Sequence, residues 1–265
     1  MDAAQTGDGR LYAADRRRRL VEMLKAREYC SIHEMSQALG ISMMTVRRDL
    51  HVLAKEQVVQ LLHGGARLTV QAQIEPTIGI RLHERQRQKE AIGALAAHLF
   101  IQAGDVIGID GGSTVVHVAH NLPDVPLTVV TNSLTTANVV AEYEHCNLQM
   151  LGGTFLRESS IFTGTQTVAA LQELRLHKLF LAATGLRISD GLSSIYMFDA
   201  EVKKALINVA QQVILCMDSS KIGRVFLAYF ASLEEVDVLV TDDGITSEDK
   251  EAIEAKNVQV VVASS

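Results

Sequence analysis

The sequence has few cysteines, no long apolar run and no excess of basic charge, and each lack removes a class of protein. Three cysteines, Cys30, Cys146 and Cys216, stand far apart with no CxxC among them. That spacing argues against a disulfide framework and a zinc site. Free thiols in a reducing cytoplasm are expected, with no metal and no cofactor. No stretch approaches the roughly 18 uninterrupted apolar residues that a membrane span needs. The opening MDAAQTGDGR lacks the apolar core of a signal peptide, so residues 1–14 read as a disordered leader. There is no fixed-period repeat and no low-complexity tract.

The net charge of −6 argues at first against nucleic acid, but the two ends of the chain differ. Residues 1–70 carry 11 Lys+Arg against 8 Asp+Glu, while the rest of the chain carries 14 against 23. A basic head on an acidic body fits phosphate binding by one domain only. The head includes Arg16, Arg17, Arg18 and Arg19 in one run. At 265 residues, 48% of them apolar, the chain suits a small domain plus a medium one.

Three short helices can be placed in the head. Asp15 caps the first, whose apolar positions Leu20, Val21 and Leu24 recur at helical spacing. Ser31 and Glu34 have capping-box spacing and open the second, which stops at Gly40. Ser42 opens the third, MMTVRRDLHVLAKEQ, after a turn of only Leu39-Gly40-Ile41-Ser42. On that third helix Val46, Leu50 and Leu53 fall on one stripe. Met44, Arg48, His51 and Lys55 fall on the opposite side, flanked by Thr45 and Arg47. One face packs and the other presents long donors, which is what a recognition helix in the major groove requires. Which of Arg47 and Arg48 meets a base and which a phosphate is open. Ser42 and Thr45 stand at the positive end of the helix, where a phosphate is favoured, and Met43 beside them is a further DNA-facing candidate. Two strands around His63-Gly64-Gly65 form a wing whose backbone can lie close to DNA. These elements predict a winged helix-turn-helix over residues 15–70, and the polar stretch 71–80 around Pro76 predicts a linker.

Residues 81–265 alternate helical and strand patterns, starting with a helix over 81–100. The strands are continuous Val/Ile/Leu runs, as expected where both faces of a mostly parallel sheet are covered. The predicted class is α/β. Strand Val106–Asp110 runs into Gly111-Gly112-Ser113-Thr114, where glycines allow close backbone approach and the hydroxyls offer donors to an anion. Small polar residues gather at further strand ends: Thr131-Asn132-Ser133, Gly152-Gly153-Thr154 and Asp218-Ser219-Ser220-Lys221. In open α/β sheets, ligands bind outside the carboxyl ends of the strands. Asp110 can accept sugar hydroxyls, and Lys203 and Lys221 can supply charge for a phosphate, although either lysine also fits a solvated surface. Met197, Phe198 and Arg157 are further candidates for shaping the pocket.

The run GISMMTVRRDLHVLAKEQVV followed by LLHGGA resembles the DeoR family of bacterial repressors, matching at Thr45 through Leu50 and His63 through Ala66. Ile41 replaces the usual valine, and Gln57 stands where a glycine often ends the helix. The segments DGGST, VVTNSL, LGGTF, ATGL, AEVKKALI, MDSSKIGR and TDDGI are similar to that family's effector domain. The resemblance therefore covers most of the chain and implies a sensor fold related to sugar-phosphate isomerases. It implies that Asp110 through Thr114, Thr131-Asn132-Ser133, Gly152-Gly153 and Lys221 line a pocket for a phosphorylated sugar or polyol. His177 departs from the acidic residue common in the family and is expected to be structural. The expected protein is a non-enzymatic repressor that binds double-stranded operator DNA as a homodimer or homotetramer, with no membrane contact. The alternative is a sugar-phosphate isomerase carrying a DNA-binding appendage, with Asp110, Asp218, Lys203 and Lys221 as candidate acid–base groups.

Overall fold

A computed structural model of the chain describes residues 13–27, 29–55, 58–69 and 76–264. The chain divides into two units, Met1–His83 and Glu84–Ser265. Most of the expected leader, residues 1–12, lies outside the described residues.

The first unit is built on α1 (Ala13–Ala26), β1 (Cys30–Ser31), α2 (Ile32–Leu39), α3 (Met43–Lys55), β2 (Val59–Leu62), β3 (Gly65–Leu68) and α4 (Ile78–His83). Helix α1 starts two residues before Asp15, which stands in its first turn and lies 3.7 Å from Arg18 instead of capping. The expected capping box at α2 is formed. Ser31 Oγ accepts from the Glu34 N–H at 3.2 Å, and Glu34 Oε2 accepts from the Ser31 N–H at 2.8 Å. Gly40 closes the helix at φ 62°, left-handed backbone that a Cβ would strain. Ser42 Oγ in turn accepts from the Thr45 N–H at 3.2 Å and starts α3. Leu20, Leu24, Met35, Val46, Leu50 and Leu53 are buried together beneath a three-stranded antiparallel sheet in the order β1-β3-β2. Burying one such side chain contributes about 1.5–3 kcal/mol, so this small core holds the three helices.

The linker expectation needs one correction. Residues 71–75 are outside the described residues, but Ile78–Ile80 belong to α4, and Ile80 is buried in the first unit's core. The apolar Ile78 and Ile80 give this segment something to bury, which Pro76 obscured in the sequence. The single helix expected over 81–100 is also two helices, α4 and α5 (Gln86–Phe100). They are parted at Glu84-Arg85, where Arg85 takes φ 51°. For a residue with a Cβ that conformation costs about 1–2 kcal/mol.

The second unit continues with β4 (Val106–Ile109), α6 (Val116–Ala119), β5 (Leu127–Thr131), α7 (Leu134–Val140), β6 (Cys146–Met150), β7 (Thr154–Leu156), β8 (Ile161–Thr163), α8 (Thr165–Gln172) and β9 (Leu176–Leu181). After these come β10 (Gly185–Arg187), β11 (Gly191–Ser194), α9 (Met197–Asn208), β12 (Ala210–Cys216), β13 (Ala228–Ala231), β14 (Val238–Asp242), α10 (Ser247–Glu254) and β15 (Gln259–Ala263). Seven strands form one sheet in the order β15-β14-β12-β9-β4-β5-β6, every pair parallel. Separate apolar clusters cover its two faces, one around Leu179, Leu215 and Leu239, the other around Ile109, Phe180 and Val240. That is why its strands read as unbroken apolar runs. The chain winds outward from β4 one way through β5 and β6, and the other way through β9, so the order reverses between β4 and β9. Such a switch point opens a crevice at the carboxyl ends of the two strands. Two smaller antiparallel sheets, β7-β8 and β10-β11-β13, decorate this main sheet.

Candidate functional site

In the first unit the outer side of α3 presents Met43 (51% exposed) and Met44 (67% exposed), with Arg47, Arg48 and His51 also exposed. The wing tip exposes His63 and Gly64. Ser42 Oγ and Thr45 Oγ1 lie 2.9 Å apart, so both hydroxyls first serve the helix start. Gly65 differs from expectation, because it is buried and not part of the exposed tip. A Cβ there would sit 2.3 Å from the Cys30 carbonyl oxygen and 2.5 Å from the Tyr29 hydroxyl. Its glycine therefore answers to the β1–β3 pairing, while the Tyr29 hydroxyl donates to the His63 carbonyl at 3.2 Å and pins the wing.

Two further residues were missed in the sequence. Asp49 lies in the recognition helix but points inward, and Arg16 donates to both its oxygens, at 2.9 and 3.3 Å. One arginine of the basic run thus fixes α3 to α1, and does not face a polyanion. Only contact between elements 33 residues apart reveals this, so no local pattern carried it.

In the second unit the four polar strand ends converge. Asp110 follows β4, Thr131 ends β5, Gly152-Gly153 follow β6 and Asp218 follows β12, all at the carboxyl edge of one parallel sheet. Asp110 is fully buried (0% exposed) at the switch point. Its N–H donates to the Phe180 carbonyl at 3.0 Å, and its Oδ2 accepts from the Ala182 N–H at 3.1 Å, so it bridges β4 to the end of β9. Lys203 is 2% exposed and donates to the same Oδ2, while its Nζ lies 3.6 Å from Asp199 Oδ1 and over the Phe230 ring. Ser194 donates to Asp199 at 2.6 Å. The surface alternative for Lys203 is therefore overturned. Its ammonium is an internal counter-ion to two carboxylates, and it presents no spare charge to a phosphate. Burial pushes the Asp110 carboxyl up, Lys203 pulls it down and Asp199 pushes it up again, with a net upward shift.

Gly111 lies so close to β8 that a Cβ would meet Ile161 Cγ2 at 2.2 Å. Ser113 and Thr114 are buried beside it. Thr131 Oγ1 accepts from the Ser133 N–H at 3.1 Å, and Ser133 Oγ caps α7 by accepting from the Thr136 N–H at 3.2 Å. Asn132 is clamped to the β7–β8 hairpin, its main-chain carbonyl accepting from the Phe162 N–H at 2.7 Å and its Nδ2 donating to the Phe162 carbonyl at 3.0 Å. Asp110 Oδ1 and Asn132 Oδ1, at the ends of adjacent strands, are among the buried acceptors without a hydrogen-bond partner, as are Asp199 Oδ1 and the Thr136 and Thr241 hydroxyls. Gly153 is required by packing, since a Cβ would sit 2.3 Å from Thr167 Oγ1. Gly152 is exposed, and its carbonyl accepts from the Thr167 hydroxyl at 2.7 Å. Lys221 is half-buried in a single turn, Ser219–Lys221, capped by Asp218.

His177 lies at the opposite, amino edge of the sheet. Its Nδ1 accepts from the Val106 N–H at 3.2 Å, which fits a structural role. Met197 and Phe198 are exposed at the start of α9, and Arg157 is exposed between β7 and β8. A groove of about 410 Å³ between α8 and α9 is lined by Val168, Gln172, Glu201 and Lys204, none of them a strand-end residue. Among the described residues no group of His, Cys, Asp or Glu is placed to hold a metal ion, and no helix is long and apolar enough to cross a membrane.

A winged helix-turn-helix followed by a doubly wound sheet with polar residues gathered at its strand ends is the architecture of a DNA-binding transcriptional regulator with a sensor domain. The DeoR-like helix-turn-helix domain matches residues 16–72, and the DeoR C-terminal sensor domain matches residues 84–243. The chain belongs to the DeoR family. It is 33% identical to YulB, an uncharacterized HTH-type transcriptional regulator of Bacillus subtilis (strain 168), over 94% of this chain and 96% of that protein. The HTH-type transcriptional regulator GlpR of Haloferax volcanii is 32% identical over 94% of this chain and 97% of its own length. The lactose phosphotransferase system repressor of Staphylococcus epidermidis is 30% identical, covering 91% of this chain and 96% of its own.

Proposed function

We propose that the protein represses carbohydrate or polyol catabolism genes in the cytoplasm and is released from its operator by a phosphorylated sugar or polyol. The observation that carries this reading is the pair of leftover acceptors, Asp110 Oδ1 and Asn132 Oδ1, at the switch point. Buried acceptors without partners cost about 1–3 kcal/mol each, and vicinal hydroxyls are the donors that satisfy them. An anionic group is repelled from Asp110 and Asp199, which share Lys203 between them. It is drawn instead to Lys221, two strands away from Asp110, on the order of 10 Å given strand spacing. A polyhydroxy chain with a phosphate at one end matches that layout. The relative from Staphylococcus epidermidis, named as a repressor of a lactose phosphotransferase system, supports the sign of regulation and the link to carbohydrate genes.

The isomerase alternative is not favoured. Lys203 and Asp110 neutralise one another, and the relatives reported above are regulators. A symmetric dimer or tetramer is the expected state, reading half-sites roughly 34–36 Å apart or a multiple of that.

The test is operator binding by fluorescence anisotropy at fixed salt, on the DNA upstream of the protein's own gene, against a panel of sugar and polyol phosphates. One compound that weakens the complex identifies the effector and gives repression its mechanism. A compound that tightens the complex reverses the sign. DNA binding that no compound shifts removes the sensor part of the proposal.

A further inference from the structure

Helix α3 opens on two methionines that the packing of its own unit does not use. Met43 and Met44, 51% and 67% exposed, are the most open large apolar side chains described in the first unit. The core of that unit is filled without them, since α3 packs through Val46, Leu50 and Leu53. At about 100° per residue, Met44 falls between Arg47 and Arg48 and within about 20° of His51, at the middle of the outward face. Met43 falls at the edge of that face. The hydroxyls of the same turn are already engaged. Ser42 Oγ accepts from the Thr45 N–H at 3.2 Å and lies 2.9 Å from Thr45 Oγ1, and Thr45 is half-buried. The first turn therefore holds out two thioether side chains, and the exposed donors Arg47, Arg48 and His51 follow further along the helix.

In a helix-turn-helix the N-terminal residues of the recognition helix are the ones that meet the base edges. A methionine offers no donor there and only a weak acceptor. It cannot read the amino, carbonyl and ring-nitrogen pattern by which arginine picks out guanine or glutamine picks out adenine. One major-groove group suits it, the apolar 5-methyl of thymine. Its unbranched chain, with three rotatable bonds, can close over such a group without a fixed approach. We propose that Met44, with Met43 beside it, selects thymine in the operator by covering its 5-methyl group. The inference rests on DNA binding by the first unit and adds the class of base that the start of α3 reads. Arginine forks then anchor the helix on guanine edges or phosphates, and Met44 discriminates at a neighbouring step. Cytosine at that step has no methyl to cover, and it sets an amino donor against a sulfur that accepts poorly.

The experiment uses the full chain and a site selected from a random duplex pool. Affinities are read by fluorescence anisotropy at one salt concentration, low enough for the weakest variant to bind. Each thymine of the site is replaced in turn by deoxyuridine, which keeps the base pair and its hydrogen-bonding groups and removes only the methyl. Covering one methyl is worth about a fourfold change in affinity, so one or two thymines are expected to show a loss of that size in wild type. In Met44→Ala the same replacement should cost less than about 1.5-fold, which is the signature of a pair in contact. Met44→Leu, still apolar, should keep most of the loss, and Met43→Ala should reduce it less than Met44→Ala does. Alanine is a good helix former and both methionines are exposed, so these variants fold. Arg48→Ala should weaken the complex and leave the uracil loss in place. A loss of equal size in wild type and Met44→Ala would come from the stiffness of the duplex and overturns the proposal. So does a site in which no thymine methyl matters. In both of those outcomes the chain still selects a site, and DNA reading by the first unit stands. A chain that selects no site from the pool overturns the two together.

Discussion

In the first unit the residues that face outward from α3 are long and exposed, Met44 and Arg48 among them, and the charged residue it buries, Asp49, is a lock. In the second unit the polar residues at the strand ends are turned inward, and Asp110 and Lys203 are almost without solvent contact. Under the function proposed above, the difference follows from what each unit recognises. A polyanion is met by cations that stay hydrated until contact, at little cost to the fold. A small polyol is met by acceptors already stripped of water, and the sheet must carry that cost. The first unit is therefore expected to remain folded when it loses a functional side chain. The second couples its site to its stability.

The sharpest way to break this contrast is Lys203→Ala. It leaves Asp110 and Asp199 facing one another in a buried space, so a loss of about 3–5 kcal/mol is expected in denaturant unfolding of the sensor unit. A loss under 1 kcal/mol would mean that water reaches the pair, and the site would then be as wet as the DNA face. Arg48→Ala is the counterpart. Operator affinity should fall by about 1–3 kcal/mol, with the unfolding midpoint unchanged and the effector response of the residual complex kept. Equal damage to stability would end the division between the units.

Asp49→Ala tests whether the first unit has one buried charge that matters. Losing the two bonds from Arg16 should cost about 1.5–3 kcal/mol, followed by thermal melting. Ser31→Ala removes the α2 cap and should cost about 1 kcal/mol in the same assay. The smallest effect concerns pH. Burial raises the Asp105 carboxyl, but the Lys178 ammonium and the Gln102 N–H outweigh it, and the net shift is downward. A lowered carboxyl stabilises the fold above its unfolded value, near 4, and this contribution is lost as pH falls through the lower native value. Asp105→Asn should therefore flatten the acid limb of the stability profile below about pH 4, measured by urea unfolding.

Legibility in the sequence followed the range of the interactions. Ser31, Glu34, Gly40 and Ser42 act on neighbours within a few residues, so the helices of the first unit could be placed from them. The parallel strands could be placed from their apolar runs and the α/β class from their alternation with helices. What could not be read is whatever depends on distant pairing. Strand β1 has two residues, and only Ala66 and Gly65 make it a strand. The strand β11 pairs with β13 across the whole of α9 and β12. At the candidate site Asp110 could be singled out by its place before Gly-Gly-Ser-Thr. Its lysine partner is 93 residues away, however, and Asp199 and Arg85 carried no local mark. The burial of Gly65 and Lys203 was hidden for the same reason, since burial is a property of the assembled fold.

The bridge from Asp110 to Ala182 and Lys203 also has a consequence in time. Its partners lie 72 and 93 residues downstream, whereas the lock between Arg16 and Asp49 closes within 33. Domains made first on the ribosome can fold first, and closing a longer loop costs more entropy. Stalled chains ending near residue 110 and near residue 250, probed by limited proteolysis, would show whether the head is protected while the sheet is not. A newly made copy would then be able to grip DNA before it can hear any metabolite, so that for a short interval after synthesis every molecule is deaf.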